Sequence, residues 1–271
     1  MKMRHLVAAG CLAAAPFVLL APGRASDSKK APFMGRNFAH RGLHSEDQSV
    51  PENSLKAFGL AVEVGYGMEL DVQLSKDGQV VVFHDDTLDR VCGVAARVDE
   101  LDYAELKTLP LYGTDERIPL FSEVLALVAG RTPLIVELKT GSRNDELCEK
   151  TYELLRTYGG AYCIESFNPF IVAWWRFHAP NVLRGQLAQL PEEYVRGGRK
   201  LAEALVLGNT LLNVAARPQF IAYRIGPKPA AVRFAEALGA MPVGWTSHSR
   251  DSEAGRDAVI FEYYTPDVRY K

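Results

Sequence analysis

The stretch 67–85 carries carboxylates whose spacing could support chemistry. Glu69 and Asp71 lie two positions apart in a run with the composition of a β-strand. Because alternate side chains of a strand point to the same face, we expect the two carboxylates to lie side by side. Paired carboxylates repel each other unless a cation lies between them, and an oxygen-binding divalent cation is the usual partner. For this pair alone, a surface hairpin with solvated charges is the alternative.

The sequence after this strand predicts that the chain reverses direction. Lys-Asp-Gly at 76–78 separates two apolar runs. So short a connection joins antiparallel strands, because parallel strands need a crossover of about a dozen residues or more. The returning strand would bring His84 close to the two carboxylates. One hairpin would then supply two candidate metal ligands and a candidate acid or base.

The elements that must position these residues alternate along the chain. Residues 134–139 form an apolar run ending in charges, which is typical of a parallel strand buried on both faces. Residues 55–64 have helical spacing, with Asn53 or Ser54 as the cap, and a single helix is predicted at 192–207. Eight parallel strand candidates remain when the hairpin is treated as an insertion at about 72–118. This α/β pattern predicts a (β/α)8 TIM barrel at 37–271.

The predicted strand ends carry most of the residues with chemical potential. In such barrels the active site lies at the C-terminal ends of the strands. Polar groups inside a barrel are costly, and a purely structural barrel has no reason to collect them at one rim. We therefore expect a site formed by the ends of strands one, two, three, four and seven, which carry His40 and Arg41, Glu69 and Asp71, Glu137 and Lys139, Glu165 and Ser166, and Trp245.

The residue types at this rim suggest separate roles. Glu69, Asp71 and Glu137 offer only oxygen ligands, which favours Mg²⁺ or Ca²⁺ over Zn²⁺. Arg41 and Lys139 are fixed positive charges beside this cluster, so an anionic ligand is expected, and phosphate is the natural candidate. For Lys139 the alternative is a salt bridge, for example to Glu137.

Two histidines approach the same rim from separate segments. His40 and His84 could lie on either side of a phosphate and act as base and acid. For either histidine alone, a structural role is equally compatible with the sequence. The remaining histidines have no such context, and we interpret them as incidental: His5, His44, His178 and His248.

Nine short motifs between Phe38 and Thr246 occur together in this chain. They are His40-Arg41-Gly42, Pro51-Glu52-Asn53-Ser54, Glu69-Leu70-Asp71, Lys76-Asp77-Gly78, His84-Asp85 through Arg90, Ile118-Pro119, Glu137-Leu138-Lys139, Ser166-Phe167 and Trp245-Thr246. In combination they resemble the glycerophosphodiester phosphodiesterase family.

This resemblance implies a barrel with a small insertion after strand two, a divalent metal, and hydrolysis of glycerophosphodiesters to glycerol 3-phosphate and an alcohol. It implies roles for the following residues: His40 and His84 as the catalytic pair, Glu69, Asp71 and Glu137 on the metal, Arg41 and Lys139 on the phosphate, Glu52 and Asn53 at the edge of the metal or in its second shell, and Trp245 lining the substrate site.

Two other functions are weighed against this one. A phospholipase C or D type of barrel would act on intact phospholipid, and an N-terminal anchor with Trp174 and Trp175 would fit it. The tryptophan pair lies on a predicted helix, however, where core packing is the better explanation. A non-catalytic binder of phosphorylated head groups is disfavoured because two histidines and three carboxylates are present; a histidine turned away from the cluster would favour it.

The N-terminus has the layout of an export signal. Lys2 and Arg4 precede an apolar run at 6–21 that contains no acidic residue. Such a segment predicts a signal peptide cleaved after Ala25, or an uncleaved membrane anchor. We expect the protein to be exported or held at the membrane facing outside, with residues 1–25 not packed on the barrel. The polar stretch 26–36 is predicted to be a linker.

Composition narrows the partners further. The 271 residues are 48% hydrophobic and 24% charged, with a net charge of −2. These values are ordinary for a globular protein, and no basic stripe suggests a nucleic acid. A small glycerophosphodiester is the expected partner. The three cysteines after the N-terminal segment are expected to be buried free thiols, with a Cys148–Cys163 disulfide as the alternative.

Overall fold

The computed structural model describes residues 17–271. Within them, nine strands form one sheet in the order β1-β9-β8-β7-β6-β5-β4-β2-β3, and β1 also pairs with β2. That additional pairing closes eight parallel strands into a barrel, which confirms the predicted fold. The strands are β1 Arg36–Ala39, β2 Gly67–Leu74, β3 Val80–Val82, β4 Leu134–Leu138, β5 Tyr162–Ser166, β6 Leu183–Ala188, β7 Phe220–Arg224, β8 Met241–Ser247 and β9 Ala258–Phe261.

Helices connect these strands and cover the outside of the barrel. Their bounds are α1 Asp27–Lys30, α2 Leu55–Val64, α3 Asp89–Cys92, α4 Tyr103–Leu106, α5 Phe121–Val128, α6 Asn144–Leu155, α7 Pro169–His178, α8 Pro191–Arg196, α9 Leu201–Gly208, α10 Asn213–Ala216 and α11 Ala230–Ala237, with 3-10 turns at Val98–Glu100 and Arg250–Glu253. Ser54 caps α2 by accepting a hydrogen bond from the Ala57 amide, as predicted.

The single helix predicted at 192–207 was wrong. The chain forms α8 and α9 there, separated by a break that contains Gly197 and Gly198. Gly198 has a φ of 90°, a left-handed conformation that interrupts a helix and that glycine adopts without steric cost. Residues 196–200 are Arg-Gly-Gly-Arg-Lys, with no apolar residue among them, so the sequence itself marks the break.

The predicted hairpin is present between β2 and β3. These strands pair antiparallel, and the Ser75 amide donates to the Gln79 carbonyl over 3.0 Å. Gly78 has a φ of 77°, which a side chain would strain. The insertion that follows buries an apolar cluster of its own, formed by Val81, Phe83, Leu88, Val91, Val98, Leu106, Leu111 and Ile118.

The register of the parallel strands determines which polar residues become neighbours. Asp71 of β2 lies opposite Glu137 of β4, and Glu137 lies opposite Glu165 of β5. Glu69 lies two residues before Asp71 on the same face of β2, opposite Ile135. Ile135 belongs to the apolar cluster that fills the barrel. Alternation along each strand therefore directs all four carboxylates toward the barrel interior.

The segment before β1 covers the N-terminal end of the barrel. Phe33 is only 3% exposed and stacks on Phe38, with ring centroids 6.0 Å apart. The predicted linker at 26–36 is therefore wrong in part, because it contains α1 and a buried aromatic residue. A barrel interior lined with apolar residues needs such a cover. Burial of apolar surface stabilises the fold by about 25 cal/mol per Å².

Residues 17–25 also contact the barrel, contrary to the expectation that the segment up to Ala25 does not pack on it. Leu20 is buried, the Gly23 amide donates to the Pro218 carbonyl over 2.9 Å, and the Arg217 guanidinium donates to the Ala21 carbonyl over 2.7 Å. Most of the predicted export segment lies in residues 1–16, outside the described residues, so it stays a prediction. Between residues 17 and 271, no helix combines the length and the apolar character needed to cross a membrane.

Two of the three described cysteines and Trp175 are buried, as the sequence predicted, whereas Cys92 and Trp174 are only partly buried. Cys92, Cys148 and Cys163 are free thiols, and the last two are buried, so the alternative disulfide is not formed. Trp175 is fully buried in the core between the helices and the barrel. This packing accounts for that tryptophan without a membrane.

Candidate active site

Three carboxylates meet at the C-terminal rim of the barrel. One oxygen from each of Glu69, Asp71 and Glu137 lies within 4.8 Å of the others, and all three residues are buried. Burial, followed by the charge of Asp71, holds the pKa of the Glu69 carboxyl well above its usual range, and burial also raises the pKa of Glu137. Asp71 Oδ1 accepts no well-directed hydrogen bond, and its one near polar neighbour is the Lys139 ammonium, 3.3 Å away. Crowded, incompletely bonded oxygens of this kind fit a divalent cation that prefers oxygen ligands.

Two cations flank the carboxylates. Lys139 Nζ lies 2.9 Å from Glu137 Oε1 and 3.3 Å from Asp71 Oδ1, and Arg41 Nε lies 3.5 Å from Asp71 Oδ2. Burial would raise the pKa of Asp71, but Lys139 and other positive groups outweigh it and hold this pKa well below its usual range. The salt bridge considered for Lys139 is thus present, and it keeps the ammonium at the cluster, where an anionic ligand would lie.

Two residues beside the cluster have a strained backbone. Arg41 has a φ of 54° and Asn53 a φ of 55°, and the Asn53 amide donates to the Arg41 carbonyl over 2.9 Å. This geometry aims the Arg41 amide at Glu69 Oε2 over 3.1 Å and the Asn53 side-chain amide at Asp71 Oδ2 over 2.9 Å. Left-handed conformations of residues other than glycine are costly and occur often at functional sites.

Glu52 organises the cations and lies outside the three-carboxylate cluster. Arg41 donates to it over 2.7 Å, and Arg90 binds both of its oxygens over 2.7 and 3.0 Å. Burial would raise the pKa of Glu52, but the hydrogen bond from Arg90 and the charge of Arg41 lower it to about 2. In this arrangement Glu52 holds Arg41 beside the cluster.

His40 lies on one side of the cluster. Its Nε2 is 3.9 Å from Glu69 Oε2, while its Nδ1 forms a 2.7 Å hydrogen bond with Glu262 Oε2. Burial lowers the pKa of His40, and the hydrogen bond to Glu262 opposes this effect only in part. A half-buried imidazole with a lowered pKa and one nitrogen at the cluster is suited to accept a proton.

His84 approaches from the end of the hairpin. The Phe83 amide donates to the Asp71 carbonyl over 3.0 Å, which places His84 directly beside the cluster. Its Nδ1 forms a 2.6 Å hydrogen bond with Asp85 Oδ1, and Arg90 holds the other oxygen of Asp85 over 2.7 Å. Each histidine therefore has one ring nitrogen fixed by a carboxylate.

Sequence reasoning missed one residue that the strand-end rule would have found if it had been applied to the last strand. Glu262 comes directly after β9, and its hydrogen bond fixes His40. Glu165 was noted at the end of β5 but given no role. It is 1% exposed with Oε2 unpartnered, and burial followed by the charge of Glu137 holds its pKa well above its usual range. Asp85 and Arg90 lay within a recognised motif, but their contacts depend on the folded hairpin.

Trp245 lies at the rim beside an apolar groove. Its Nε1 donates to the Ala222 carbonyl over 3.0 Å, and its ring contacts Phe167 edge-on with centroids 5.4 Å apart. Next to this pair is a groove of about 520 Å³ whose lining includes Thr140, Phe167, Phe170, Tyr194, Val206 and Leu207. Because Thr140 follows Lys139, the groove begins beside the charged cluster.

The fold and the site together define a class: (β/α)8 barrels with a cluster of carboxylates, histidines and cations at the C-terminal rim. The chain belongs to the glycerophosphoryl diester phosphodiesterase family, whose sequence model matches residues 40–262. A phosphodiesterase of Oleispira antarctica, solved in complex with the product sn-glycerol-3-phosphate, superposes with a TM-score of 0.69 and 25% identity, covering 86% of this chain and 95% of that one.

Curated relatives agree with this assignment. A glycerophosphodiester phosphodiesterase of Caldanaerobacter subterraneus is 36% identical over 162 residues, which are 56% of this chain and 65% of the relative. The lysophospholipase D GDPD1 of Rattus norvegicus is also 36% identical over 162 residues, which are 55% of this chain and 50% of the relative. The matches thus span about half to two thirds of the length of these relatives.

Proposed function

We propose that the protein hydrolyses glycerophosphodiesters to glycerol 3-phosphate and an alcohol. The observation that carries this proposal is the pair of histidines, each fixed by a carboxylate through Nδ1, beside a cluster that combines carboxylates with Arg41 and Lys139. Two imidazoles can move protons to and from a phosphodiester that the cations hold between them. The family and the relatives named as phosphodiesterases support the same reaction.

A divalent cation belongs to this proposal, with Glu69, Asp71 and Glu137 as its ligands. Mg²⁺ or Ca²⁺ suits three carboxylates better than a softer metal does. When bound, the cation would polarise phosphate oxygens and lower the pKa of a nearby hydroxyl. The chain's own side chains would bind the phosphate and transfer the protons. Arg41 and Lys139 hold the phosphate oxygens as charge develops on them.

The proposed route uses the substrate's own hydroxyl as the nucleophile. The glycerol 2-hydroxyl is tethered next to the phosphate, and such tethering can contribute roughly 7–11 kcal/mol. His40, whose pKa is lowered by burial, accepts its proton, and His84 protonates the departing alcohol. Water then opens the resulting cyclic phosphate with the two histidines exchanging roles. A 2-deoxy analogue tests this route, since turnover at the parent's rate would require water as the first nucleophile.

A second candidate substrate is a lysophospholipid, which keeps one acyl chain on the glycerol. The groove beside Trp245 favours it, because a chain attached to glycerol at the cluster could lie against Phe167 and Phe170. Phe170 is 70% exposed, so its ring is accessible to such a chain. Four relatives carry the name lysophospholipase D, which agrees with this possibility.

A substrate panel tests the proposal. Glycerophosphocholine, glycerophosphoethanolamine, glycerophosphoglycerol, lysophosphatidylcholine and intact phosphatidylcholine are compared. The free alcohol is measured for every substrate, together with glycerol 3-phosphate from the first three and the acylated glycerol phosphate from the two lipids. Turnover of the first three supports the main proposal. Preference for the lysolipid, lost selectively in Phe170→Ser, supports the second candidate. Turnover of intact phospholipid alone would contradict both.

Export is also proposed from the sequence of residues 1–25. Basic residues followed by an apolar run support it. Mass spectrometry of the mature N-terminus, after fractionation of the producing cell, tests it. A start at Ser26 supports a cleaved signal peptide, and an intact Met1 in a cytoplasmic fraction contradicts export.

A further inference from the structure

Glu262 is the centre of a second group of ligand-type side chains at the rim. Its Oε2 lies 2.7 Å from His40 Nδ1 and 3.7 Å from His44 Nε2, and its Oε1 lies 3.7 Å from His248 Nε2. Ligand atoms of His40, His44 and Glu262 all lie within 4.8 Å of one another. None of these residues belongs to the three-carboxylate cluster. His40 lies between the two groups, with Nδ1 toward Glu262 and Nε2 toward Glu69.

The buried histidine of this group lacks a hydrogen-bond partner where one would be expected. The side chain of His44 is only 2% exposed, and its Nε2 points at Glu262 without a hydrogen bond. A buried polar atom of this kind is costly unless something else binds it. The ring is held edge-on against Tyr263, with centroids 5.2 Å apart, so Nε2 cannot easily turn away.

We propose that His40 Nδ1, His44 Nε2 and Glu262 form a second metal site, which takes Zn²⁺ or a similar cation that favours nitrogen. Two imidazoles and one carboxylate are typical zinc ligands. Ligands about 2.0–2.2 Å from zinc lie about 3.3 Å apart, so a small rotation of Glu262 away from His40 would open the site. His248, which is 61% exposed, stands at the entrance and is available as a fourth ligand.

Zinc and a proton would compete for the same atom, His40 Nδ1. The 2.7 Å hydrogen bond between His40 Nδ1 and Glu262 leaves no room for a metal while it is formed. Once zinc occupies Nδ1, the other nitrogen of His40 must keep its proton and can no longer accept one. Zinc would therefore inhibit any reaction that uses His40 as a base, while the binding itself does not depend on that reaction.

A substitution at Gln48 can test whether zinc binds His44, because Gln48 contacts the other ring nitrogen of that histidine. Its Nε2 lies 3.3 Å from His44 Nδ1, and its Oε1 accepts the Glu52 amide over 3.0 Å. Zinc on Nε2 requires a proton on Nδ1, so the long contact with the Gln48 amide must open. Gln48→Glu would instead accept that proton, in the manner of carboxylates that support metal-bound histidines, and such partners change metal affinity by about 10–100-fold.

Calorimetric titration of ZnCl₂ into the Mg²⁺-saturated protein tests the proposal. We expect one zinc site per chain, at least tenfold weaker in His44→Gln and Glu262→Gln, unchanged in His178→Gln, and tighter in Gln48→Glu. Zinc should inhibit hydrolysis without relief by excess Mg²⁺, and less so in His44→Gln when compared with that variant's own uninhibited rate. Equal zinc affinity in His44→Gln and the unaltered protein, or competition by Mg²⁺, would overturn it.

Discussion

The two ends of the barrel differ in what fills them. At the N-terminal end, Phe33 stacks on Phe38, and the surrounding interior is apolar. At the C-terminal rim, Glu69 and Glu137 share a buried space in which burial raises the pKa of both. The N-terminal end is stabilised by burial of apolar side chains. At the C-terminal rim the carboxylates repel one another, and neighbouring cations such as Lys139 offset that repulsion. This difference indicates that stability and chemistry reside at opposite ends and can be changed separately.

The largest expected effect is on catalysis at the rim. His40→Ala and His84→Ala should each lower kcat by at least about 100-fold, the lower end of a general acid–base contribution. The free energy of unfolding should fall by no more than about 1.5–3 kcal/mol, the contribution of the hydrogen bond that each ring forms with a carboxylate, because neither ring is part of an apolar cluster. Hydrolysis of glycerophosphocholine and urea denaturation measure the two quantities, with His178→Ala on α7 as the control. Near-normal turnover in either variant would remove that histidine from the mechanism.

The next effect is on stability at the opposite end. Phe33→Ala should lower the free energy of unfolding by about 3 kcal/mol, as for other buried phenylalanines. The kcat of the folded fraction should stay the same, since this ring lies at the far end of the interior. Urea denaturation measures the change, and Phe177→Ala, whose ring is 67% exposed, is the matched control. A loss of kcat at unchanged stability would contradict the separation of the two ends.

A smaller effect should follow from changing the residue that positions His40. A hydrogen bond to a charged group contributes about 1.5–3 kcal/mol, so Glu262→Gln should lower kcat by roughly tenfold or more. Glu262 raises the pKa of His40, against the larger lowering by burial, so its removal should lower that pKa further. The base then stays neutral to lower pH, and the acid limb of kcat/KM should move to lower pH.

The pH profile separates positioning from general damage. A purely structural effect of Glu262→Gln would reduce kcat and leave the acid limb where it was. Asp267→Asn, which changes an exposed carboxylate paired with Arg250, should alter neither quantity. A shift of the acid limb to higher pH would contradict the interaction seen between Glu262 and His40.

The smallest effect concerns repulsion within the carboxylate cluster. In metal-free protein, Glu69→Gln should raise the free energy of unfolding by about 1 kcal/mol, the size of other gains obtained by relieving functional strain. The glutamine oxygen can still accept a hydrogen bond from the Arg41 backbone amide, so this substitution keeps that hydrogen bond. Thermal unfolding in EDTA measures the change. Destabilisation by this substitution would show that the cluster is not strained in the absence of a metal.

Local sequence patterns predicted much of the fold and the centre of the site. The two-residue period of a strand placed Glu69 and Asp71 on one face, and the strand-end rule brought Glu137 to them. The hairpin turn placed His84 beside the same cluster. These inferences depend on side-chain alternation and chain reversal, which are local properties of the sequence.

Contacts between distant segments were not predictable in the same way. His44 lies at no predicted strand end and was interpreted as incidental, yet its Nε2 lies 3.7 Å from Glu262 Oε2 near the other end of the chain. Leu20 belongs to an apolar run that resembles an export signal, but it packs on the barrel. The sequence shows the apolar character of a segment, and only the folded structure shows what surface it covers.

Metal dependence tests the central claim most directly, because the rim is interpreted as a carboxylate cluster that needs a cation to support hydrolysis. The measurement is the release of glycerol 3-phosphate from glycerophosphocholine before EDTA treatment, after exhaustive EDTA treatment, and after addition of Mg²⁺ or Ca²⁺. We expect little activity in the stripped protein, recovery with one of the two cations, and a higher cation requirement in Glu137→Gln. Full activity after exhaustive removal of metal would contradict the account.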